Sequence, residues 1–427
     1  MTRRRRRPNV FGWTIFGLVM LFGYYVNWIY LPEQPNPFDA TPTPTRSSES
    51  LETEAREFFQ EGKLLQSIEA YEQAIKASPQ NPNLYIELAR IQVFAGFPRE
   101  AQANAENAIL LSPNHSMAHA VHAWALDFQG ENGRALASIT TALELDPNNA
   151  IAHAYHVEIL IDSGLFENYA KAAEESKVAL ALDPNLLETR RARAYMLEVT
   201  GGEGNNYELA IQFYRSAIEV NPYIALLHME LGRNLSYVGV YDDAIKEFTL
   251  ANTLNPADPE PDHLISRTYA KVGEYAKALQ YAETAVTDRP TDALLRGNWG
   301  VMYYRNFRYQ EAAEQLDLAV NGGRSEGGLP IQGLDLNDSP RVSEVYFTYG
   351  LAMARTNQCG QALPISQTLQ SRFPEDDIVL EAADAIIQIC EENLANPPEV
   401  DTPLAEAEST TTPEITATPE PEGSPTP

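Results

Sequence analysis

Seven prolines stand at near-constant intervals: Pro79, Pro113, Pro147, Pro184, Pro222, Pro256 and Pro290 are separated by 34, 34, 37, 38, 34 and 34 residues. A period of this length marks a chain built from repeated supersecondary units rather than around one closed core. Other positions keep the same register. Twelve residues before each proline stand Ser67, Ala101, Ala135, Ala172, Ala210, Ala244 and Ala278, and five before each stand Ala74, Ala108, Ala142, Ala179, Ala217, Ala251 and Ala285. Small side chains recurring at fixed places mark where helices approach closely. Tyr71, Tyr214 and Phe248 lie between them at helical spacing, and a glycine breaks each unit midway, at Gly62, Gly96, Gly130, Gly164, Gly201, Gly239 and Gly273. Each unit therefore reads as helix, turn, helix.

This pattern resembles the tetratricopeptide repeat family, in its membrane-anchored bacterial form. Ala89, Ala123, Gly232, Ser266 and Gly350 take the small first-helix position, and the resemblance covers residues 48–374. It implies an all-α fold, a right-handed α-solenoid of about nine helix-turn-helix repeats. The extra residues of the two longer units fall at Leu165 to Tyr169 and Gly202 to Asn206, near the mid-unit turn, where they leave both helices intact. An eighth unit begins near Ala293 and carries Trp299, Gly300, Tyr303, Ala312 and Ala319 in place but lacks its proline. The insertion 321–340 follows, with a small hairpin expected around Ile331 to Leu336, and a ninth unit then runs through Tyr346, Tyr349, Gly350, Ala362 and Pro374. A helix over Glu375 to Asn393, within the segment 375–395, is expected to cap the open end.

The two ends differ from the middle. Arg3 to Arg7 precede 22 uncharged residues from Val10 to Leu31, a stretch that reaches ~33 Å at ~1.5 Å per residue against a hydrocarbon core of ~30 Å. This predicts one transmembrane helix, a signal anchor over 10–31, preceding the solenoid. The arginines place residues 1–9 as a cytoplasmic basic tail and the repeats outside the cell membrane, in a single-pass arrangement. Tyr24, Tyr25, Trp28 and Tyr30 then form an aromatic belt. A cleaved signal peptide is the rival, opposed by the length and by the Trp-Ile-Tyr-Leu-Pro ending, which lacks small residues. A twin-arginine export signal is discounted because Pro8 and Asn9 follow the arginines. Residues 32–47 carry five prolines and read as an extended Pro/Thr-rich linker. Residues 396–427 hold eight prolines, seven acidic groups and no basic one, a composition that reads as a disordered tail, either solubilising or wall-spanning and glycosylated.

Across 427 residues the chain has 31 Lys and Arg against 59 Asp and Glu, a net charge of −28. With the only basic run at Arg3 to Arg7, sequence-independent nucleic-acid binding is excluded. No G-x-S-x-G elbow, Walker motif or H-E-x-x-H occurs, so the chain reads as no enzyme, and no cofactor is implied. Gly201, Gly202 and Gly204 form a turn rather than a phosphate cradle. Asp335, Asn337 and Asp338 hint at calcium, but Tyr346 stands where an EF-hand would place its bidentate Glu. His119 and His122 lie three apart, and His153 and His156 repeat them 34 residues later. Each pair has metal-ligand spacing, and the alternative is a hydrogen-bonded packing role within the repeat. Cys359 and Cys390 lie 15 and 16 residues to either side of Pro374. Equal distances from an antiparallel turn place them opposite, so a disulfide stapling the cap is expected, with two small buried thiols as the alternative.

The family resemblance further implies a concave groove, lined by the first helices, that holds a partner peptide or protein. Its matching positions here are Arg90, Trp124, Phe128, Glu158, Tyr195, Arg233, Tyr237, Arg267, Tyr304 and Arg305. Repeats three to five place Asp127, Glu158, Asp162, Glu188 and Glu198 there with Arg191. Repeats six to nine place Arg233, Arg267, Lys271, Arg305 and Arg355 there against Glu260 and Glu344. The aromatic residues supply apolar anchors, or these groups pair among themselves as a structural network. The Lys and Asn set by which chaperone-binding members clamp a peptide carboxylate is missing. The resulting expectation is an extracytoplasmic interaction scaffold with a protein partner. The alternative is an accessory or regulatory subunit of an envelope enzyme, secretion or pilus assembly machine.

Overall fold

A computed structural model describes residues 10–26, 28, 46–201, 206–337 and 339–395. Its first helix, α1, covers Val10–Tyr25, 16 residues, which amounts to ~24 Å and falls short of the ~30 Å apolar core of a bilayer. Among the described residues no helix is long and apolar enough to cross a membrane. The expected transmembrane anchor over 10–31, and the single-pass localisation built on it, are therefore corrected. Counting uncharged residues measured apolar length, but spanning requires continuous α-helical rise, and the described α-helix covers Val10–Tyr25 alone, with Val26 and Trp28 in π-helical geometry. The basic tail 1–9, residues 32–45 of the linker, the tail 396–427, Gly202, Gly204 and Asp338 lie outside the described residues.

Two compact units follow, divided at Leu227/His228. The first holds α2 (Ser48–Gln60) with α3 (Leu64–Ala77), α4 (Pro82–Phe94) with α5 (Pro98–Leu111), and α6 (Ser116–Asp127) with α7 (Asn132–Leu145). It continues with α8 (Ala150–Asp162) and α9 (Asn168–Leu182), then α10 (Leu187–Val199) and α11 (Asn206–Val220). The division falls inside α12 (Ala225–Tyr237), which pairs in sequence with α13 (Tyr241–Leu254). The second unit continues with α14 (Glu260–Lys271) and α15 (Tyr275–Asp288), then α16 (Ala293–Arg305) and α17 (Tyr309–Asn321). After the insertion come α18 (Pro340–Arg355), α19 (Cys359–Arg372) and a final helix, α20 (Asp377–Ala395). Among the described residues the fold is all-α apart from one two-stranded hairpin: helical repeats in nine pairs, with one closing helix.

Local chemistry sets the boundaries. Asn81, Asn149 and Asp292 accept hydrogen bonds from the first-turn amides of α4, α8 and α16, satisfying donors that a helix cannot satisfy internally. The mid-unit turn needs a left-handed residue, and glycine supplies it at Gly96 and Gly273, both at φ 81°. Repeats eight and nine use Phe307 (φ 61°) and Asn357 (φ 60°) instead. Small residues sit where helices cross. A Cβ on Gly232 would lie 2.5 Å from the Phe248 ring, and one on Gly300 would lie 2.5 Å from Leu316.

The insertion makes a short antiparallel hairpin, β1 (Gly323–Arg324) with β2 (Pro330–Ile331), pairing Gly323 with Ile331 and Arg324 with Pro330. It thus starts earlier in the loop than Ile331 to Leu336. Glu326 at its turn meets the fully buried Arg296 of α16 at 3.1 and 3.2 Å, which holds Glu326 below the usual carboxylate range. Cys359 and Cys390 form a disulfide, Cα atoms 5.6 Å apart, joining α19 to α20.

In the first unit the stack curls until its ends meet. Arg90 of α4 donates to Glu188 of α10 at 2.7 Å, and Asn221, just past α11, donates to the Phe59 carbonyl of α2 at 3.1 Å. One continuous apolar core joins Ile86 and Ala89 to Leu187, Ala217 and Leu227. Repeats one and two therefore pack on repeat five.

Candidate functional site

The inner face of the first unit is occupied by its own side chains. Trp124 on α6 is fully buried. Its ring stacks on Tyr155 at 4.3 Å, meets the edges of Phe94 and Phe128, and donates from Nε1 to Glu158 at 2.8 Å. Glu158 in turn accepts from Arg191 at 2.5 Å. Arg90 pairs with Glu87 as well as Glu188; burial opposes its charge, but the two carboxylates outweigh burial and raise its pKa. Tyr195 donates to Asp162 at 2.5 Å. Beside them Asp127 is buried, and that burial, then Asp162 and Glu158, push its carboxyl up to about 9 despite Arg191. Of the predicted groove residues, Arg90, Trp124, Glu158 and Tyr195 are thus brought together as one internal network. Phe128 remains 39% exposed. A cavity of about 330 Å³, lined by Arg56, Tyr71, Glu87, Arg90 and Glu188, lies at the closure.

The histidine pairs are likewise engaged. His119 Nε2 lies 2.8 Å from the Pro113 carbonyl and His122 Nδ1 lies 2.9 Å from Ser138. His153 and His156 flank Glu175, at 2.5 and 3.5 Å. Burial opposes the charge on Glu175, but the hydrogen bond to His153 and the nearby His156 hold it down at about 2. Sequence reading missed Glu175 because it belongs to the second helix, out of step with the histidine spacing. Among the described residues no group of three or more His, Cys, Asp or Glu side chains is placed to hold a metal.

The second unit is different. Two clefts of about 220 and 200 Å³ share Arg267 and Lys271 on α14. Arg233, Tyr237 and Arg341 line one; Tyr275, Arg305 and Glu344 line the other. Five cations therefore surround the joined clefts, and Arg267 meets Glu344 at 3.0 Å. Lys271 donates to Ser236 at 2.9 Å and lies over the Tyr237 ring. The local field is legible in the titrating groups. Burial, then Arg267 and Arg341, lower both Lys271 and His263, the latter to about 3. Burial raises Glu260, against the pull of Arg233 and Arg341. Tyr304 lies in the field of Arg355 and packs on Tyr309 at 5.2 Å. Predicted residues Arg233, Tyr237, Arg267 and Arg305 thus converge, while Arg341 was missed. It follows Pro340 at the start of α18, where the insertion displaces it from the repeat register.

A family profile described as TPR repeat matches residues 55–93, and one described as Tetratricopeptide repeat matches residues 86–150 and 263–327. Residues 55–150 and 263–327 thus contain tetratricopeptide repeats. Tetratricopeptide repeats serve as protein–protein interaction scaffolds, and the fold is generally non-catalytic. The crystal structure of the APC/C hetero-tetramer Cut9-Hcn1 is similar in fold, with a TM-score of 0.56, 13% identity, and coverage of 88% of this chain and 82% of that one. A tetratricopeptide repeat protein from Parabacteroides merdae ATCC 43184 aligns at 18% identity over 60% of this chain and 98% of its own, with a TM-score of 0.39. No curated protein matches this tetratricopeptide repeat chain.

Proposed function

We propose that the second unit is the partner-binding module of a non-catalytic scaffold, and that it takes an extended protein segment rich in Asp and Glu. The observation that carries this is the convergence of Arg233, Arg267, Lys271, Arg305 and Arg341 on two joined clefts in a chain of net charge −28. A patch in which cations outnumber carboxylates steers an oppositely charged partner. Tyr237 and Tyr275 add apolar contact beside the charges. In the first unit Arg90, Trp124, Glu158 and Tyr195 are engaged with their own neighbours, which favours the second unit as the grip. Any chemistry resides in the partner.

Titration of the full chain with fluorescein-labelled octaglutamate tests this. Binding at about 50 mM salt should weaken about tenfold on combining Arg305→Glu with Arg341→Glu, with the melting temperature unchanged. Equal binding by the double variant would place the site elsewhere.

A further inference from the structure

The basic cleft has a candidate occupant within the same chain. Residues 396–427 carry Glu399, Asp401, Glu406, Glu408, Glu414, Glu420 and Glu422 and no Lys or Arg. They leave the fold at the end of α20, Ala395. That end is fixed close to the cleft: Asn393 donates to the Ala354 carbonyl at 2.8 Å, and Arg355, the next residue, acts electrostatically on Tyr304. Arg305, adjacent to Tyr304, already lines the cleft with Arg267 and Lys271. From α18 to α14 is two helix spacings, ~20 Å at ~10 Å each. The 32 residues of the segment can extend ~100 Å at ~3.1 Å per residue, so reach is ample. Tethering so near gives the segment an effective concentration on the order of millimolar. We propose that the acidic C-terminal segment, residues 396–427, occupies the basic cleft of the second unit, so that an external acidic partner binds by displacing it.

This rests on the reading of the cleft as a site for acidic segments, and the experiment separates the two. The full chain is compared with a full-length variant carrying E399Q, D401N, E406Q, E408Q, E414Q, E420Q and E422Q, each titrated with fluorescein-labelled octaglutamate at about 50 mM salt. The neutralised chain should bind about tenfold more tightly, and that gain should vanish when Arg267→Glu and Lys271→Glu are added. Where that pair fails to fold, Lys271→Gln with Arg305→Gln replaces it. Equal affinity of the two chains overturns the tail proposal and leaves the cleft reading standing. A gain that survives the cleft substitutions also overturns it, and failure of both chains to bind removes both readings.

Discussion

Asp127 shows how one side chain can make the scaffold sensitive to pH. Asp162, Glu158 and Arg191 act on it, and burial together with the two carboxylates pushes its carboxyl up to about 9, far above an ordinary aspartate. The folded state therefore keeps a proton that the unfolded chain releases, so this group's contribution is full below about pH 4 and is lost as pH rises through about 9. Asp127→Asn removes the titration while keeping the shape. Denaturant unfolding should show the variant gaining stability relative to the wild type steadily from about pH 5 to pH 8, by up to ~1.4 kcal/mol per pH unit. A pH-independent difference would show that Asp127 is ionised in the folded protein. Trp124 makes a related point: an aromatic residue at a groove position reads as an anchor, yet stacking on Tyr155 and hydrogen bonding to Glu158 consume it.

At the level of elements, α20 covers the apolar side of α18 and α19 through Val379, Ala383 and Ile386, all essentially inaccessible. The Cys359–Cys390 bond closes a loop with a sequence separation of 31, worth ~3 to 4 kcal/mol in the chain-entropy view. Reduction should therefore lower the melting temperature of the second unit, and the double variant Cys359→Ser, Cys390→Ser should melt at one temperature with or without reductant. A reductant effect that persists in that variant would exclude the bond as its source. The repeat boundaries were legible in advance because proline, glycine and alanine each do a local job once per period. The length of α1 was not, since the absence of charge does not set how far regular α-helical geometry runs. Arg341 was not legible either, because a period cannot be extrapolated through an insertion.

On the scale of the whole molecule, sequence periodicity reports only what each repeat does with its neighbour. It predicted the pairs from α2 to α19, and it contained no sign that Phe59 and Asn221, or Arg90 and Glu188, would meet across four repeats. Those contacts depend on the small rotation accumulated per repeat, which the side chains at every interface set jointly. They also explain why acidic residues of repeats three to five, legible as a groove lining, are instead partners within a closed interior.

That closure has a kinetic meaning. An open stack of repeats frays from its ends, because a terminal repeat has one neighbour and lower local stability than the middle. Joining repeat one to repeat five gives the first repeat a second neighbour, so the five repeats should open as one cooperative block. Amide hydrogen exchange in α2 and α3 should match that in α6 and α7, and Asn221→Ala, which removes the bond to the Phe59 carbonyl and loosens the closure, should speed exchange in α2 and α3 selectively. Uniform acceleration across the block would mean that the ends contribute no separate step, whereas fast exchange in α2 of the unaltered chain would mean that the ring is open in solution.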